Sequence, residues 1–252
     1  IVNVTADSFS DGGCFLETDA AIAHGRRLIA EGADLVDIGG ESSRPGADAV
    51  DEAEELRRVV PVIEALAGEV RVSVDTVKPA VVRAAVAAGA TLVNDVSATL
   101  APVAGELGVG YVVMHRQGTP HTMQIDPRYD DVVVEVKAFL AEHAARAAAA
   151  GVTEIWVDPG IGFGKTEDHN LSLLRHLDQI VGLGYPVLVG ASRKAFLGRL
   201  LGRSDGAPGP TPTDDRLEAS LATSTWAMAR GASMIRVHDV RASVQAAKVV
   251  AA

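Results

Sequence analysis

Residues 72–95 carry the pattern that decides the fold, and they read VSVDTVKPAVVRAAVAAGATLVND. A short apolar run stops at Asp75, Lys78-Pro79 then opens an alanine-rich stretch, and a second apolar run ends at Asn94-Asp95. Proline belongs in the first turn of a helix, because the amide proton that it lacks has no partner there. The stretch therefore predicts a strand, a helix and a second strand.

The same alternation runs through the whole chain. Seven apolar runs stop on a polar or charged group, and they are Val36–Gly39, Val72–Asp75, Leu92–Asp95, Val112–His115, Ile155–Asp158, Val187–Ser192 and Ile235–His238. Such runs are typical of parallel strands that are buried on both faces and deliver functional groups at their carboxyl ends. With residues 1–5 as a first strand, the pattern predicts an α/β fold, a single (β/α)8 TIM barrel with its active site at the C-terminal face of the strands.

Length and composition fit one domain. The 252 residues with 48% hydrophobic content match the usual size of one barrel, so we expect a single domain over residues 1–252. The apolar stretches are interrupted well before the roughly 20 residues that a membrane span needs. Cys14 is the one cysteine and has no partner for an internal disulfide. The start on Ile1, with neither an initiator Met nor a signal peptide, predicts a cytoplasmic protein whose first strand is truncated.

The net charge of −10 argues against nucleic acid or an anionic membrane as the partner, because both demand a basic face. Basic residues nevertheless occur at selected strand ends and loops, namely Arg44, Arg193, Lys194, Arg236 and His238. If these groups converge in the folded protein, they would bind a small anion. Any single Arg or Lys of this set, taken alone, is better explained as a solvated surface charge.

Element boundaries follow from local signals. Two long polar loops are expected at residues 5–15 and 39–46, and Thr18 or Asp19 is expected to cap a first helix that ends near Gly32. Further helices are predicted over about 51–67, 130–150 and 240–250, and residues 202–213 are predicted to form a flexible surface loop.

Three short side chains that bear acceptors, Asp75, Asn94 and Asp158, end three of the predicted strands. Buried acceptors need donors, and a flat heterocycle with an amino group and a ring N–H offers donors in one plane. The competing interpretation is that such residues cap the following helices, which we favour for Asp95.

A second group contains Ser192, Arg193 and Lys194 after strand 7 together with Arg236 and His238 at strand 8. Barrels often bind phosphate at the loops that follow these two strands. In the second long loop, Arg44 sets a forked guanidinium beside turn residues, which suits a diphosphate or a carboxylate.

The ordered motifs closely resemble those of the dihydropteroate synthases, the folate-pathway family inhibited by sulfonamides. The matching segments are residues 3–5, 7–13, 39–46, 73–76, 94–97, 114–115 with 117–120, 158–165, 190–194 and 236–239. The chain departs from the family pattern at Ala6, where proline is usual, and at Ala98-Thr99, where two glycines are usual.

The resemblance implies condensation of 6-hydroxymethyl-7,8-dihydropterin diphosphate with p-aminobenzoate, which gives 7,8-dihydropteroate and diphosphate with Mg²⁺ as cofactor. It implies catalytic roles for Asp75, Lys194, Arg236 and His238. The implied pterin-binding residues are Asp75, Asn94, Asp158, Lys194 and Arg236. The implied diphosphate-binding residues are Asn3, Arg44, Arg236 and His238, with Asn3 also facing the metal. The implied p-aminobenzoate-binding residues are Ser43, Pro45, Phe163, Ser192 and Lys194, and the first loop contributes Asp7, Ser8 and Phe9.

Three other functions stay open at this point. A pterin-dependent methyltransferase domain would keep the pterin carboxylates, and a non-catalytic paralogue would bind a pterin or a protein partner. A Schiff-base aldolase would use Lys194 or Lys78, but it needs a desolvated neutral lysine. The resemblance also implies a homodimer that binds small-molecule substrates, with no nucleic acid and no membrane as partner.

Overall fold

The structure is a computed structural model that describes residues 1–4, 14–42 and 46–252. These residues form two compact units. The first unit comprises Ile1–Met114 and Glu142–Trp156, and the second comprises His115–Ala141 and Val157–Ala252. Within the described ranges, no helix is both long enough and apolar enough to cross a membrane.

Short parallel strands occur in both units. In the part of the chain that the structure describes, β1 to β8 are Val2–Asn3, Leu35–Gly39, Arg71–Asp75, Leu92–Asp95, Gly110–Met114, Ile155–Asp158, Leu188–Val189 and Met234–Ile235. In the first unit, β1 to β5 pair in chain order and each is parallel to the next. In the second unit, β7 pairs in parallel with β8.

Helices alternate with these strands. The helices α1 to α10 are Cys14–Ala30, Glu52–Leu66, Pro79–Ala87, Ala101–Leu107, Val132–Ala149, Glu167–Arg175, Leu177–Val181, Ala195–Ser204, Leu217–Ala229 and Val240–Val250. The Asp51 carboxylate caps α2 by accepting from the N–H of Glu54 at 2.8 Å. Pro79 occupies the first turn of α3, as the sequence predicts.

The start of α1 differs from the prediction. The helix begins at Cys14, so Thr18 and Asp19 lie inside it and the predicted cap is wrong. Threonine and aspartate cost only a fraction of a kcal/mol inside a helix, so they are tolerated there as well as at its cap. The pair therefore does not mark the boundary. The end of the helix agrees with the prediction, since Gly32 follows it with a φ of 102°.

Strands β2 and β3 each have one apolar face and one face that carries polar side chains. Side chains alternate along a strand, so Val72 and Val74 of β3 lie on one face while Ser73 and Asp75 lie on the other. The two valines are almost fully buried. The register of β2 and β3 pairs Asp37 with Ser73, which places both on the polar face.

The loop predicted at residues 202–213 begins later than expected. Helix α8 continues to Ser204, and a Cβ at Gly202 would lie 2.2 Å from the carbonyl oxygen of Gly209. Strands β7 and β8 also end earlier than predicted, although the N–H of Arg236 still donates to the carbonyl oxygen of Val189 at 2.9 Å. In this part of the chain, the predicted and observed boundaries differ by a few residues, while the predicted and observed element types agree.

Candidate active site

A buried polar group in the first unit, which we call the Asp37 cluster, consists of Asp37, Ser73 and Asn94. The Asp37 carboxylate accepts hydrogen bonds from the Ser73 hydroxyl and from Nδ2 of Asn94, the latter at 3.1 Å. Asn94 is only 6% exposed, and its amide oxygen is buried with no hydrogen-bond partner among the described residues. An unpaired buried carbonyl is costly. This oxygen therefore marks a place where a ligand can donate.

Asp75 lies beside Asn94, because the pairing of β3 with β4 sets these two residues in register. Its other neighbour in register is Gly39 of β2, where a Cβ would lie 3.4 Å from the Cβ of Asp75. The glycine leaves room next to the carboxylate. The structure thus brings together two of the three predicted acceptors, Asp75 and Asn94, at the carboxyl ends of adjacent strands.

Asp95 holds the loop that leads into α4. Its carboxylate accepts from the N–H groups of Thr99 and Leu100, at 2.7 and 2.8 Å, and from the Tyr111 hydroxyl at 2.7 Å. Asp95 is therefore structural, but the specific prediction that it caps the following helix is wrong, because the N-cap of α4 is Leu100, which has no side-chain cap hydrogen bond. In the same loop Ala98 has a φ of 56°, a left-handed conformation that suits the glycine of the family pattern better than alanine.

The start of the second long loop is anchored by Lys78. Its ammonium group donates to Glu41 at 2.6 Å and to Glu55, and Glu41 also accepts from the N–H of Val50 at 2.9 Å. Burial alone would lower the pKa of Lys78, but these two carboxylates outweigh it and raise the pKa. Lys78 is therefore a charged anchor and not the neutral amine that an aldolase needs.

Several predicted site residues lie outside the described residues, namely Asp7, Ser8 and Phe9 of the first loop and Ser43, Arg44 and Pro45 of the second. The departure from the family pattern at Ala6 lies there too. Asn3 is described. It ends β1 in register with Gly39, whose carbonyl oxygen accepts from the N–H of Val4 at 2.8 Å.

Asp158 is the main buried acid of the second unit. Its carboxylate accepts from the N–H of Gly160 at 2.7 Å, and its carbonyl oxygen accepts from the N–H of His115 at 3.0 Å. Burial raises the pKa of Asp158, while the positive charges of Lys194 and Arg236 act in the opposite direction. A carboxylate in this environment gains from any ligand that brings hydrogen-bond donors.

Lys165 joins the end of β5 to the glycine-rich segment after β6. It is 1% exposed, and its amine contacts Nδ1 of His115 at 2.8 Å and the carbonyl oxygens of Gly160 and Phe163, both at 3.0 Å. Burial lowers the pKa of Lys165 to about 7, against the attraction of Asp158. The backbone that presents Phe163 is thus held by a buried lysine.

Lys194 and Phe163 form the aromatic part of the site. The Lys194 ammonium lies 4.4 Å from the centroid of the Phe163 ring and also donates to the carbonyl oxygen of Ile161. Gly162 allows this approach, since a Cβ there would meet Cδ of Lys194 at 3.0 Å. A cation close to an aromatic face is suited to an aryl ligand that carries a negative charge.

The predicted cationic group after β7 and β8 is partly engaged within the protein. Arg193 pairs with Asp239 through two hydrogen bonds, at 2.5 and 3.0 Å. Ser192 Oγ contacts Nδ1 of His238 at 3.0 Å. Arg236 follows β8 and lies beside Gly190. A Cβ added at Gly190 would lie 3.6 Å from the Cβ of Arg236. Arg193 therefore supports the segment, while the structure sets Ser192, Arg236 and His238 together.

His238 is not a cation at neutral pH. Burial, with the nearby charge of Arg236 acting in the same direction, lowers the pKa of His238 to about 3. The expectation that it adds positive charge is corrected, since a half-buried imidazole beside arginine favours its neutral form. It can still donate one hydrogen bond from Nε2 while Nδ1 faces Ser192.

Sequence reasoning gave no site role to Asp37 or Lys165. Asp37 interrupts the apolar run of β2, and a carboxylate in the middle of a buried strand is itself a signal, because it requires partners. Lys165 stands in a glycine-rich motif, where its burial could not be read from the sequence. Among the described residues, no group of three or more His, Cys, Asp or Glu side chains could hold a metal ion.

The chain is similar to known proteins over almost its whole length. A sequence model of the pterin binding enzymes matches residues 1–238. The dihydropteroate synthase of Mycobacterium leprae is 49% identical, over all of this chain and 91% of its own length. The chain belongs to the dihydropteroate synthase family of pterin binding enzymes. The Yersinia pestis dihydropteroate synthase, solved in a sulfonamide drug complex, has a TM-score of 0.91 at 44% identity and covers 99% of this chain and 91% of its own.

The Xanthomonas albilineans dihydropteroate synthase is similar in two further structures. Its structure with 4-aminobenzoic acid has a TM-score of 0.90 at 49% identity, and its structure with 7,8-dihydropteroate has a TM-score of 0.86 at 46% identity. Each covers 98% of this chain and 89% of its own. These likenesses confirm the predicted fold class, the (β/α)8 barrel of the dihydropteroate synthase family.

Proposed function

We propose that the chain is a transferase that condenses 6-hydroxymethyl-7,8-dihydropterin diphosphate with p-aminobenzoate, giving 7,8-dihydropteroate and diphosphate. The observation that carries the proposal is the unpaired, buried amide oxygen of Asn94 in register with Asp75, in a chain that belongs to the dihydropteroate synthases. A heterocycle rich in N–H groups is the ligand that these acceptors require.

Recognition of the pterin is assigned to acceptors and cations that are described in each unit. In the first unit, Asp75 and Asn94 accept from the ligand. In the second unit, Asp158 accepts from it, and Lys194 and Arg236 supply positive charge. The buried position of Asp158 favours this role, because a carboxylate that has little contact with water binds donors more strongly.

Recognition of p-aminobenzoate is assigned to Phe163 and Lys194, whose stacked arrangement offers an aromatic face beside a positive charge. Ser192 is assigned to the same substrate, and so are Ser43 and Pro45 of the second loop. The cation can pair with the carboxylate of the substrate while the ring packs against Phe163.

The diphosphate is assigned to Asn3, Arg44, Arg236 and neutral His238. Mg²⁺ commonly takes most of its oxygens from substrate phosphates and few from protein, so the single side-chain oxygen of Asn3 fits a metal that is held mainly by the diphosphate. When bound, the ion would supply charge neutralisation on the leaving group. Arg236 adds to the same effect with a fixed positive charge and forked donors.

The chemistry needs little from a general base. The bond between the exocyclic methylene carbon of the pterin and the diphosphate oxygen breaks, and its electron pair leaves with the diphosphate. The nitrogen of p-aminobenzoate forms the new C–N bond, and the proton that the amine loses passes to solvent. The arylamine is a neutral nucleophile at pH 7, so the catalytic groups Asp75, Lys194, Arg236 and His238 act by stabilising charge and by orienting the substrates.

The setting of this activity is part of the proposal. We propose that residues 1–252 act as one pterin-binding domain in the cytoplasm, and that the protein is a homodimer without nucleic acid or membrane as partner. The exposed Trp226 of α9 and Val249 of α10 are consistent with a contact between subunits, because large apolar side chains of this kind are favoured in interfaces.

The experiment measures diphosphate release from the pterin diphosphate, with each substrate alone and with both, in the presence and absence of Mg²⁺. We expect release that matches dihydropteroate formation when both substrates and the metal are present. Diphosphate release that p-aminobenzoate does not change, with no dihydropteroate formed, would contradict the proposed function. Undiminished turnover in excess chelator would contradict only the metal requirement.

A further inference from the structure

The Asp37 cluster fixes which atom of the Asn94 amide is presented to a ligand. Both oxygens of Asp37 accept hydrogen bonds, one from Ser73 and one from Asn94, so only the NH2 group of Asn94 can face Asp37. Rotating the amide by half a turn would bring its oxygen against the carboxylate oxygen that Nδ2 now contacts at 3.1 Å. That contact would be repulsive, and the hydrogen bond would be lost.

The carboxylate that imposes this orientation is itself held in place. Asp37 is 5% exposed, and its second oxygen accepts from the hydroxyl of Ser73, which is 1% exposed. Asp37 and Ser73 are in register on adjacent strands. The parallel ladder holds their backbones, and the hydrogen bond between their side chains restrains the Asp37 carboxylate.

We infer that Asp37 is a positioning residue, which locks Asn94 so that it presents an acceptor and thereby requires an N–H donor from the bound heterocycle. The inference rests on the proposed function, in which Asn94 contacts the pterin. Asp37 need not touch the substrate. It sets the polarity of one hydrogen bond and so the class of heterocycle edge that is accepted.

The variant Asp37→Asn tests this directly. Its amide nearly preserves the size of the side chain but can donate to Oδ1 of Asn94, which releases Asn94 to turn its NH2 group toward the ligand. Asp34→Asn is the matched control, because it makes the same chemical change at an exposed position just before β2. Thermal unfolding checks that both variants are folded.

The readout is the dissociation constant for the pterin diphosphate and for a set of analogues that each lack one N–H donor. In wild type and in Asp34→Asn, removing the donor that faces Asn94 should weaken binding by about ten-fold or more. In Asp37→Asn, the same removal should cost less than about two-fold, while the parent ligand binds about ten-fold more weakly. The KM for p-aminobenzoate should stay within about two-fold of wild type, since the reversed hydrogen bond of Asn94 affects only the pterin.

Two results would overturn the inference. The first is an Asp37→Asn variant that binds every ligand of the set as wild type does. The second is a variant that weakens binding of the parent and of every analogue by the same factor, which indicates a purely structural role. If wild type itself does not bind the pterin diphosphate, the proposed function fails instead.

A structure of the wild-type protein with bound pterin tests the same point when Asp37→Asn does not fold. We expect a ligand N–H within about 3.2 Å of Oδ1 of Asn94, with Nδ2 still donating to Asp37. A ligand acceptor facing Nδ2 would overturn the inference.

Discussion

Replacing Lys165 with methionine should change how the free energy of unfolding depends on pH. The lysine is buried, and its pKa is about 7 in the folded protein against an ordinary value of 10.5. Between these two values the unfolded chain binds one more proton than the folded protein. Because stability rises with pH wherever the unfolded state binds more protons, the wild type should gain stability as the pH rises from about 7 to about 10.5.

The size of the effect follows from the shift. One proton corresponds to about 1.4 kcal/mol per pH unit. Between pH 7.5 and 9.5 the free energy of unfolding of the wild type, measured relative to Lys165→Met, should therefore rise by about 2.5 kcal/mol. Methionine binds no proton in either state, so the variant lacks this dependence. It also loses the contacts with His115, Gly160 and Phe163, which shifts its stability without changing the slope.

Urea unfolding at four pH values between 7.5 and 9.5 measures the difference. Lys248→Met is the matched control, because Lys248 is exposed on α10 and its replacement should leave the slope unchanged. Parallel curves for wild type and Lys165→Met would refute the reasoning, since they would show that Lys165 binds its proton equally in both states.

Other predictions concern the substrates. Asp75→Asn should weaken pterin binding by about ten-fold to a hundred-fold and leave p-aminobenzoate recognition little changed, because a charged acceptor is lost; titration with each substrate measures this, and unchanged pterin affinity would remove Asp75 from the site. Arg236→Ala should lower both turnover and affinity for the pterin diphosphate, and Arg236→Lys should restore only part, since lysine keeps the charge without the planar fork; full recovery by lysine would mean that charge alone suffices. Sulfonamides should inhibit in competition with p-aminobenzoate, which steady-state kinetics at several p-aminobenzoate concentrations can show, and inhibition that is independent of p-aminobenzoate would exclude a shared binding position. Hydrogen exchange at residues 6–15 and 41–48 should slow when diphosphate and Mg²⁺ are added, because glycine- and serine-rich sequences need ligand contacts to offset the entropy of ordering; equal exchange with and without the ligands would contradict ordering by the ligands.

Much of the fold could be predicted because parallel strands leave a strong pattern. The runs that end at Asp75 and Asp95 are short, buried and closed by polar groups, and both predicted ends agree with the structure. Predicting where a helix starts depends on single capping residues. Thr18 and Asp19 are typical caps, but both are also tolerated inside a helix, where the structure has them. Helices α4, α6, α7 and α9 were not predicted individually. The first three have 7, 9 and 5 residues, which is too short for a clear period, and α9 mixes small, polar and apolar residues without one apolar stripe.

The candidate site was predictable where its residues end strands and was not where a role depends on burial. Asp75 and Asn94 followed from the strand pattern. The lock on Asn94 by Asp37 depends on the register of β2, β3 and β4, which the sequence does not specify. Likewise, the neutral state of His238 and the lowered pKa of Lys165 come from exclusion of water in the folded chain.

The most direct test of the proposed function is the product itself. Purified protein is incubated with 6-hydroxymethyl-7,8-dihydropterin diphosphate, p-aminobenzoate and Mg²⁺, and the mixture is analysed by mass spectrometry together with a diphosphate assay. We expect 7,8-dihydropteroate and diphosphate in equal amounts, and no dihydropteroate when either organic substrate is left out. Binding of both substrates without any dihydropteroate would contradict the proposal and indicate a non-catalytic pterin-binding protein.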